Sequence, residues 1–503
     1  MRVFLILAPA VVAALAPALW HDPFRTYIRS PDPDLIFAYQ ALALNDGDSR
    51  INAEHTGYIY FVLLAWTLRA ARALGFITAD RIGAMAGLDE AAFDISFAQV
   101  IFAGRILSMA EAIAFIGLVF WGVRSMTGAL LPAALAALLT AGSLGISIQA
   151  SLLRTELLSA SFVFAVFFSL CIAARRRCAM NGVWMAAAGA CAALAMATKV
   201  QAIFPLLAVP ILTMSLGTTP PPDTSASSAN ERNLVVALFM LLAALATLPA
   251  AAMLVSGIVE RGSSGLYQSA ILVYIAGALV LYRTLYPMPA ASWLLGSSVF
   301  VLGFSSGLLV HLLYPNPAAT DAIAAFIEHM KVYSHVRIAE SAGIPVAAII
   351  ETLREAANQA FIRRMNLAPL VLLEIAILGG AIGAWHARDR QTAVGAFGML
   401  VTALWLEIMF GTRGLNTEYL VYIDPWRAIA FALVFHSFAT RLVPKRRRVA
   451  AAVAIAVVLA IDMSHLSHAL AASFIRYQPV SDACGQAKGY LPKLAHQFAK
   501  FCA

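Results

Sequence analysis

Long apolar stretches dominate this sequence, and they restrict its fold more than any other feature. A helix that crosses a bilayer needs ~20 mostly apolar residues. The chain contains thirteen such stretches, at 3–20, 97–122, 129–149, 157–174, 183–198, 200–216, 233–258, 266–283, 292–313, 367–385, 392–410, 421–440 and 449–466. We therefore predict an all-α polytopic membrane protein with about 13 transmembrane helices.

The composition excludes a soluble globular protein. Of the 503 residues, 61% are hydrophobic and 12% are charged, whereas soluble domains are nearer half apolar and a quarter charged. The formal net charge of +8 requires no nucleic acid as a partner, because Arg and Lys gather at membrane faces. The sequence contains no Gly-rich phosphate loop and no Cys/His cluster with metal-finger spacing.

Segment 57–74, GYIYFVLLAWTLRAARAL, determines the predicted membrane orientation of every later span, because it either crosses the membrane or does not. We interpret it as a helix that lies in the membrane interface, with Arg69 and Arg72 on its polar side. With the N-terminus in the cytoplasm, every basic turn then falls on the cytoplasmic side, as the positive-inside rule requires. These turns contain Arg124, 175–177, Arg232, Arg283, 386–390 and 441–448. If 57–74 crossed the membrane, the same turns would all lie outside.

Residues 1–20 could also be a signal peptide, because APALW resembles a small-residue cleavage site. The apolar run is long for that purpose and only Arg2 precedes it, so we predict that the first span is retained.

The predicted topology leaves three outer segments, at 21–96, 314–366 and 467–503. The first two are loops of a transmembrane domain at 1–466, and the third is a C-terminal tail. Cys484 and Cys502 lie in this tail, where they could pair if the compartment is oxidising.

Ionisable residues at the ends of membrane spans are costly, and each therefore suggests a functional site. Many polar residues fall on the predicted outer face, namely Asp32, Asp34, His55, Arg105, Arg154, Glu156, Lys199, Arg413, Glu418, Tyr419, Tyr422 and Asp424. Cations there could hold a phosphate, and a carboxylate could act as general base on a hydroxyl. Lys199 and Arg105 could instead snorkel to the interface, and Arg154 could form a structural ion pair with Glu156. Glu111 lies deeper in its span, and we expect it to be buried and paired.

Several of these residues belong to short motifs that follow one another in a fixed order. The motifs are DPDLIFAYQ at 32–40, EHTGYIYFVLLA at 54–65, Arg105 at the head of the second span, RTE at 154–156, TKVQAIFPLLAVP at 198–210 and YLVYIDP at 419–425. Their order resembles the GT-C superfamily of integral-membrane glycosyltransferases, which use polyprenyl-phosphate sugars. The likeness is strongest to the branch of protein mannosyltransferases and lipid A aminoarabinose transferases. Thr56 stands where that family often has proline, and Glu156 where it has Asp.

The resemblance implies a GT-C-like fold, with juxtamembrane helices in the first outer loop, and an inverting sugar transfer. A carboxylate would deprotonate the acceptor hydroxyl, which attacks the anomeric carbon as the lipid phosphate leaves. Asp34, five residues before Tyr39, is the first choice for this base, and Asp32 is the alternative. The resemblance assigns Lys199, Arg105 and Arg413 to the donor phosphate, and Glu156, His55, Tyr39 and Tyr419 to the acceptor or another part of the substrate.

The expected partners are a polyprenyl-phosphate-linked sugar donor, a lipid, glycan or protein acceptor, and the lipid bilayer. Some members of the superfamily need a divalent cation and others do not. His329, His335 and Glu328 could bind one, although the spacing is also that of an ordinary solvated loop. The Ala-rich composition and the basic turns suggest a high-GC bacterium, hence an inner membrane with a periplasmic active site.

Two other functions stay open. An O-antigen-type polymerase or ligase would place Arg and His residues in a large late outer loop, and segment 314–366 contains His329, His335, Arg337, Arg363 and Arg364. A transporter or flippase for lipid-linked glycans would place ionisable groups along a path at the midplane, often with internal repeats. Here the charges gather at one face and no repeat is visible, which favours the transferase.

Overall fold

The computed structural model describes residues 2–20, 31–48, 57–175, 181–216, 290–309, 354–355, 357–361, 368–411, 417–476 and 491–497. This part of the chain is mostly helical and contains no β-strand. The predicted spans 233–258 and 266–283 lie outside the described residues, as do most of the second outer loop, Cys484 and Cys502.

The helices of the described part are, in chain order, α1 (Arg2–Trp20), α2 (Pro31–Asn45), α3 (Tyr58–Ala73), α4 (Ile82–Ala86), α5 (Glu90–Thr127), α6 (Leu130–Ala141), α7 (Leu144–Gln149), α8 (Glu156–Arg175), α9 (Asn181–Thr198), α10 (Ile203–Leu216), α11 (Ala290–Leu308), α12 (Ala368–His386), α13 (Arg390–Gly411), α14 (Asp424–Thr440) and α15 (Pro444–Arg476). Short 3₁₀ helices at Val200–Ala202 and Thr417–Tyr422 precede α10 and α14. Helices α2, α3 and α4 lie in the first outer loop, where the resemblance implied juxtamembrane helices.

Each remaining predicted span falls on a described helix. By length and apolar composition, four of these helices could cross a membrane on their own, namely Glu90–Thr127, Glu156–Ala174, Ala368–His386 and Arg390–Gly411. The chain is therefore a multi-pass membrane protein, while the number of 13 spans stays a prediction.

Two helix boundaries differ from the predicted span boundaries. The span expected at 129–149 is interrupted between α6 and α7, where the Ser143 hydroxyl accepts a hydrogen bond from the Ile146 backbone N–H and caps α7. Gly142 lies at this interruption, and the absence of a Cβ atom there leaves room for the Asp462 side chain of α15. The last helix, α15, is 33 residues long and continues to Arg476, well into the predicted tail.

Small residues let the helices of the bundle approach closely. A Cβ atom on Gly189 of α9 would overlap the Phe300 backbone of α11, and one on Gly303 would overlap the Ala186 carbonyl. Backbone contact of this kind is typical of membrane helices, which gain van der Waals packing where side chains are small. The α9–α11 pair therefore packs at backbone contact, which larger residues at these glycine positions would prevent.

The first outer loop has an apolar core of its own. Helices α2 and α3 and the start of α5 bury Phe37, Tyr60, Phe61 and Phe97 there, each at most 4% exposed. The opposite side of α3 exposes Trp66 by 54% together with Arg69 and Arg72. With only 16 residues, α3 is shorter than the ~20 that a span requires, which fits a helix in the interface.

Contacts between turns agree with the predicted sidedness. Asp389, between α12 and α13, lies 3.5 Å from Arg441 after α14. Gln391 at the start of α13 donates a hydrogen bond to the Leu216 carbonyl at the end of α10. Asp389, Gln391 and Arg441 lie in turns that were predicted to be cytoplasmic, and Leu216 ends the span before the predicted cytoplasmic linker.

Candidate active site

Asp34 of the first-loop helix α2 forms a buried ion pair with Arg105 of α5. Arg105 donates to Asp34 Oδ2 from Nη2 over 2.7 Å and from Nε over 3.2 Å. The Leu153 backbone N–H donates to Asp34 Oδ1 over 2.9 Å. Both side chains are at most 1% exposed. Protein groups therefore occupy both oxygens of Asp34, and neither oxygen reaches the surface.

Glu156 and Lys199 form a second pair, with 2.9 Å between Glu156 Oε1 and Lys199 Nζ. Helix ends place both residues, since Glu156 is the first residue of α8 and Lys199 directly follows α9. A carboxylate at a helix N-terminus and an ammonium at a C-terminus both interact favourably with the helix dipole. The Lys199 side chain is 10% exposed and that of Glu156 only 1%, so the cation lies nearer to the surface.

Arg154 pairs with Glu418, over 3.3 Å between Nη1 and Oε1. The Gln149 side-chain amide also donates to the Glu418 backbone carbonyl over 3.2 Å. Arg154 thus pairs with Glu418 and Glu156 with Lys199, while Arg154 also interacts electrostatically with Glu156. These contacts attach the 3₁₀ helix Thr417–Tyr422 to the segment between α7 and α8.

Residues 153–156 take part in all three pairs. We call the six charged side chains the outer charge cluster, namely Asp34, Arg105, Arg154, Glu156, Lys199 and Glu418. Three cations balance three carboxylates, but removing such groups from water costs several kcal/mol per ion. The cluster is therefore a poor source of stability and a good candidate for a functional site.

Two buried oxygens of the same segment have no hydrogen-bond partner among the described residues. They are Oε2 of Glu156 and the Thr155 hydroxyl, on side chains that are at most 1% exposed. Because buried polar groups normally have a partner, these oxygens are candidates for contact with a bound ligand.

The two tyrosines predicted to bind substrate have different surroundings. Tyr39 is 0% exposed, and its hydroxyl accepts a hydrogen bond from the Lys493 backbone N–H over 3.3 Å. Burial raises the pKa of Tyr39. Tyr419 stacks on Phe410 with the ring centroids 4.7 Å apart and the planes within 4°, and it is partly exposed. Tyr39 is thus covered by the tail, whereas Tyr419 still presents some surface.

Several predicted residues lie outside the described part of the chain. They are the side chain of Asp32, His55, Arg413, His329, His335, Glu328, and the Arg and His residues that the polymerase or ligase alternative requires. The backbone of Asp32 belongs to the first turn of α2, two residues before Asp34. Among the residues that the structure describes, no three His, Cys, Asp or Glu side chains gather in a way that could hold a metal ion.

Glu111 of α5 is buried as expected, at 7% exposure. Neither carboxylate oxygen has a hydrogen-bond partner within the described ranges, so the pairing expected from the sequence is not found there. Residues 105, 108 and 111 repeat every three positions and therefore lie along one side of α5. Ser108, in the middle, lies 3.4 Å from the Tyr60 hydroxyl.

A second buried charge group surrounds Arg427 of α14, and the sequence analysis did not identify it. The guanidinium lies 2.9 Å from Glu374, 2.8 Å from Glu407 and 3.1 Å from Asp424. These carboxylates belong to α12, α13 and the first residue of α14, so one cation connects three helices. One ionisable residue in each of three successive spans was the signal that could have revealed it.

Comparison with known proteins finds likeness at the level of structure only. No family model matches the chain, and no curated protein matches it. An oligosaccharyltransferase from Archaeoglobus fulgidus, in a complex with zinc and sulfate, aligns with a TM-score of 0.48 at 14% identity, over 92% of this chain and 53% of its own. The oligosaccharyltransferase AglB of the same organism, with an inhibitory peptide and a dolichol-phosphate, gives 0.49 at 11% identity, over 98% and 59%.

ArnT from Cupriavidus metallidurans, bound to undecaprenyl phosphate, aligns with a TM-score of 0.34 at 13% identity, over 88% of this chain and 81% of its own. These structural neighbours are GT-C superfamily membrane glycosyltransferases, the superfamily that the sequence motifs resemble. The chain spans just over half the length of the oligosaccharyltransferases. Because identities are this low and TM-scores lie below 0.5, the reaction has to be inferred from the residues of this chain.

Proposed function

We propose that this protein transfers a sugar from a polyprenyl-phosphate-linked donor to an acceptor hydroxyl, with inversion at the anomeric carbon. The observation that carries the proposal is the outer charge cluster, in which three cations and three carboxylates lie buried around residues 153–156. The reaction needs both signs of charge in one place, because a phosphate leaves while a hydroxyl loses its proton. The proposed location is the periplasmic face of a bacterial inner membrane.

Lys199 and Arg154 are the cations that we assign to the leaving phosphate. Their side chains are 10% and 13% exposed, against 1% for Arg105, so a phosphate can reach them with the smaller rearrangement. Charge-assisted hydrogen bonds from such groups hold phosphate oxygens and stabilise the charge that develops on the leaving oxygen. Arg413, assigned to the same role from the sequence, is retained as a further candidate.

Asp32 is the base that we assign, and Asp34 is the residue that positions it. The oxygens of Asp34 already accept hydrogen bonds from Arg105 and Leu153, so taking a proton from an acceptor would compete with these contacts. It instead anchors the start of α2 to α5, which fixes the backbone of Asp32 two residues earlier. This assignment reverses the order of preference that the sequence resemblance suggested.

The bond changes follow from these roles. The acceptor oxygen forms a bond to the anomeric carbon while the bond from that carbon to the phosphate oxygen breaks. The acceptor proton moves to the carboxylate of Asp32, and polyprenyl phosphate leaves as an anion beside Lys199 and Arg154. Glu156 Oε2 and the Thr155 hydroxyl are the proposed contacts of sugar hydroxyls. The acceptor itself is a lipid, a glycan or a protein, with His55 and Tyr419 as its proposed contacts.

The isosteric variants Asp32→Asn and Asp34→Asn test the proposal. Release of polyprenyl phosphate from a panel of polyprenyl-phosphate sugars is measured in detergent, together with thermal unfolding of the same samples. We expect Asp32→Asn to lower kcat by about 10²- to 10⁴-fold at an unchanged Tm. Asp34→Asn should lower the Tm, because it leaves Arg105 buried without a counter-charge.

Two outcomes would contradict the proposal at different levels. Wild-type turnover by Asp32→Asn, with activity lost in Asp34→Asn at an unchanged Tm, would make Asp34 the base. If the wild-type protein neither transferred sugar from the panel nor bound polyprenyl phosphate, the transferase function itself would be contradicted.

A further inference from the structure

Residues 491–497 pack on the first-loop helix that carries Asp34. Leu491 and Leu494 are each 0% exposed and belong to the same apolar core as α2, α3 and the start of α5. The sequence analysis assigned this part of the chain to an outer tail and gave it no role.

Polar contacts fix the segment at both of its ends. The Lys493 backbone N–H donates to the Tyr39 hydroxyl over 3.3 Å, and Lys493 Nζ lies 2.6 Å from Asp48 Oδ2. The Gln497 side-chain amide donates to the backbone carbonyls of Ala86, the last residue of α4, and of Leu88 just after it, each over 3.1 Å. The segment therefore connects the middle of α2 and the turn after α2 with the end of α4.

Helix α2 is thereby held from two sides. Asp34 is fixed to α5 by Arg105, and Tyr39, five residues later, is fixed by the tail. Since successive helix residues are rotated by about 100°, these two side chains point about 140° apart around the helix axis. Contacts on two such directions restrict both the position and the rotation of α2.

We propose that residues 491–497 form a strap that positions α2, and with it the carboxylates Asp32 and Asp34, for sugar transfer. The inference rests on the proposed function, because it concerns the same carboxylates. A displacement of about 1 Å in a reacting group can cost about 10²-fold in rate. The strap is therefore expected to act on turnover more than on donor binding, which we assign to Lys199 and Arg154.

The full-length variant Leu494→Asp tests the strap, since it places a charge in the apolar contact. Hydrogen exchange of residues 35–45 reports on the position of α2 without any substrate, and kinetics with an active polyprenyl-phosphate sugar report on turnover. We expect faster exchange in α2 and a kcat lower by about 10²-fold, with KM for the donor within about twofold of wild type. The matched controls Leu494→Met and His496→Ala, an exposed neighbour, should behave like wild type.

A milder pair of variants avoids the risk that Leu494→Asp fails to fold. Lys493 and Asp48 are 51% and 31% exposed, so exchanging their charges leaves the apolar core intact. Lys493→Glu should speed exchange in α2 and lower kcat, and Lys493→Glu combined with Asp48→Lys should restore both. A double variant no better than Lys493→Glu would count against the strap.

The failures of the two proposals are distinguishable. Unchanged exchange of α2 in Leu494→Asp would overturn the strap, and so would faster exchange with an unchanged kcat. A wild-type protein that transfers no sugar would overturn the proposed function, whatever the exchange data show.

Discussion

Arg105 Nη2 lies 2.7 Å from Asp34 Oδ2, and the two residues are 71 positions apart in the chain. Both side chains are essentially inaccessible to water, at 1% and 0% exposure. The pair joins the first outer loop to α5, so its integrity decides how the loop sits on the membrane domain.

Arg105→Met should destabilise the protein by about 3–5 kcal/mol, because it leaves the Asp34 carboxylate buried without a counter-charge. The double variant Arg105→Met with Asp34→Leu should recover much of this loss, since both charges are then gone. Unfolding in detergent, analysed as a double-mutant cycle, measures the coupling. Purely additive losses would show that the pair does not act as a unit.

Lys199→Met should weaken binding of polyprenyl phosphate roughly tenfold to a hundredfold, because a hydrogen bond to a charged group contributes about 1.5–3 kcal/mol. Titration of the purified protein with polyprenyl phosphate provides the measurement. Arg124→Gln is the matched control, since Arg124 is exposed in a predicted cytoplasmic turn. An equal loss in both variants would indicate a general charge effect and would remove Lys199 from the phosphate site.

The docking of residues 491–497 should weaken at high pH. The hydrogen bond to Asp48 raises the pKa of Lys493 above its ordinary value of 10.5. A raised pKa stabilises the docked form. This contribution is complete at a pH below the ordinary Lys pKa, and it is lost as the pH rises through the higher pKa of the docked form.

Hydrogen exchange or protease cleavage within 491–497, followed from pH 8 to above pH 11 (about the ordinary Lys range), measures this loss. Lys493→Met should remove most of the pH dependence. A transition that persists in this variant would mean that other groups control docking.

Gly303→Ala should be strongly destabilising, because the added Cβ would overlap the Ala186 carbonyl of α9 and a backbone atom cannot move aside cheaply. Gly117→Ala is the matched control, since nothing lies within 4 Å of the added atom. There we expect no loss and a gain of up to about 1 kcal/mol from helix propensity. Thermal unfolding of both variants compares the two, and similar Tm changes would contradict the close contact.

The sequence predicts most helices well, for a physical reason. Crossing a bilayer requires ~20 apolar residues, so a stretch such as 392–410 can be recognised as a helix from its composition alone. Placement of Asp34, Arg105, Glu156 and Lys199 on one face also follows from hydropathy and the basic turns.

The partners within that face could not be predicted, because local sequence does not encode contacts between distant segments. Arg154 is two residues from Glu156 in sequence, yet it bonds to Glu418, 264 positions away. The close approach of Asp462 of α15 to Gly142 joins segments that are distant in the sequence, and no local pattern reveals it. Residues 491–497, LPKLAHQ, contain only two large apolar side chains, too few to indicate a buried segment.

The contact between Asp48 and Lys493 spans 445 positions, and this separation sets the order in which the protein can mature. At a synthesis rate of about 5–20 residues per second, roughly 20 to 90 s pass between the synthesis of the first outer loop and that of residues 491–497. Lys493 must also reach the same side of the membrane, after every intervening span has been inserted. If the strap acts as proposed, newly made chains should therefore reach full activity only once the last segment has been delivered, so the end of assembly and the onset of full catalysis coincide.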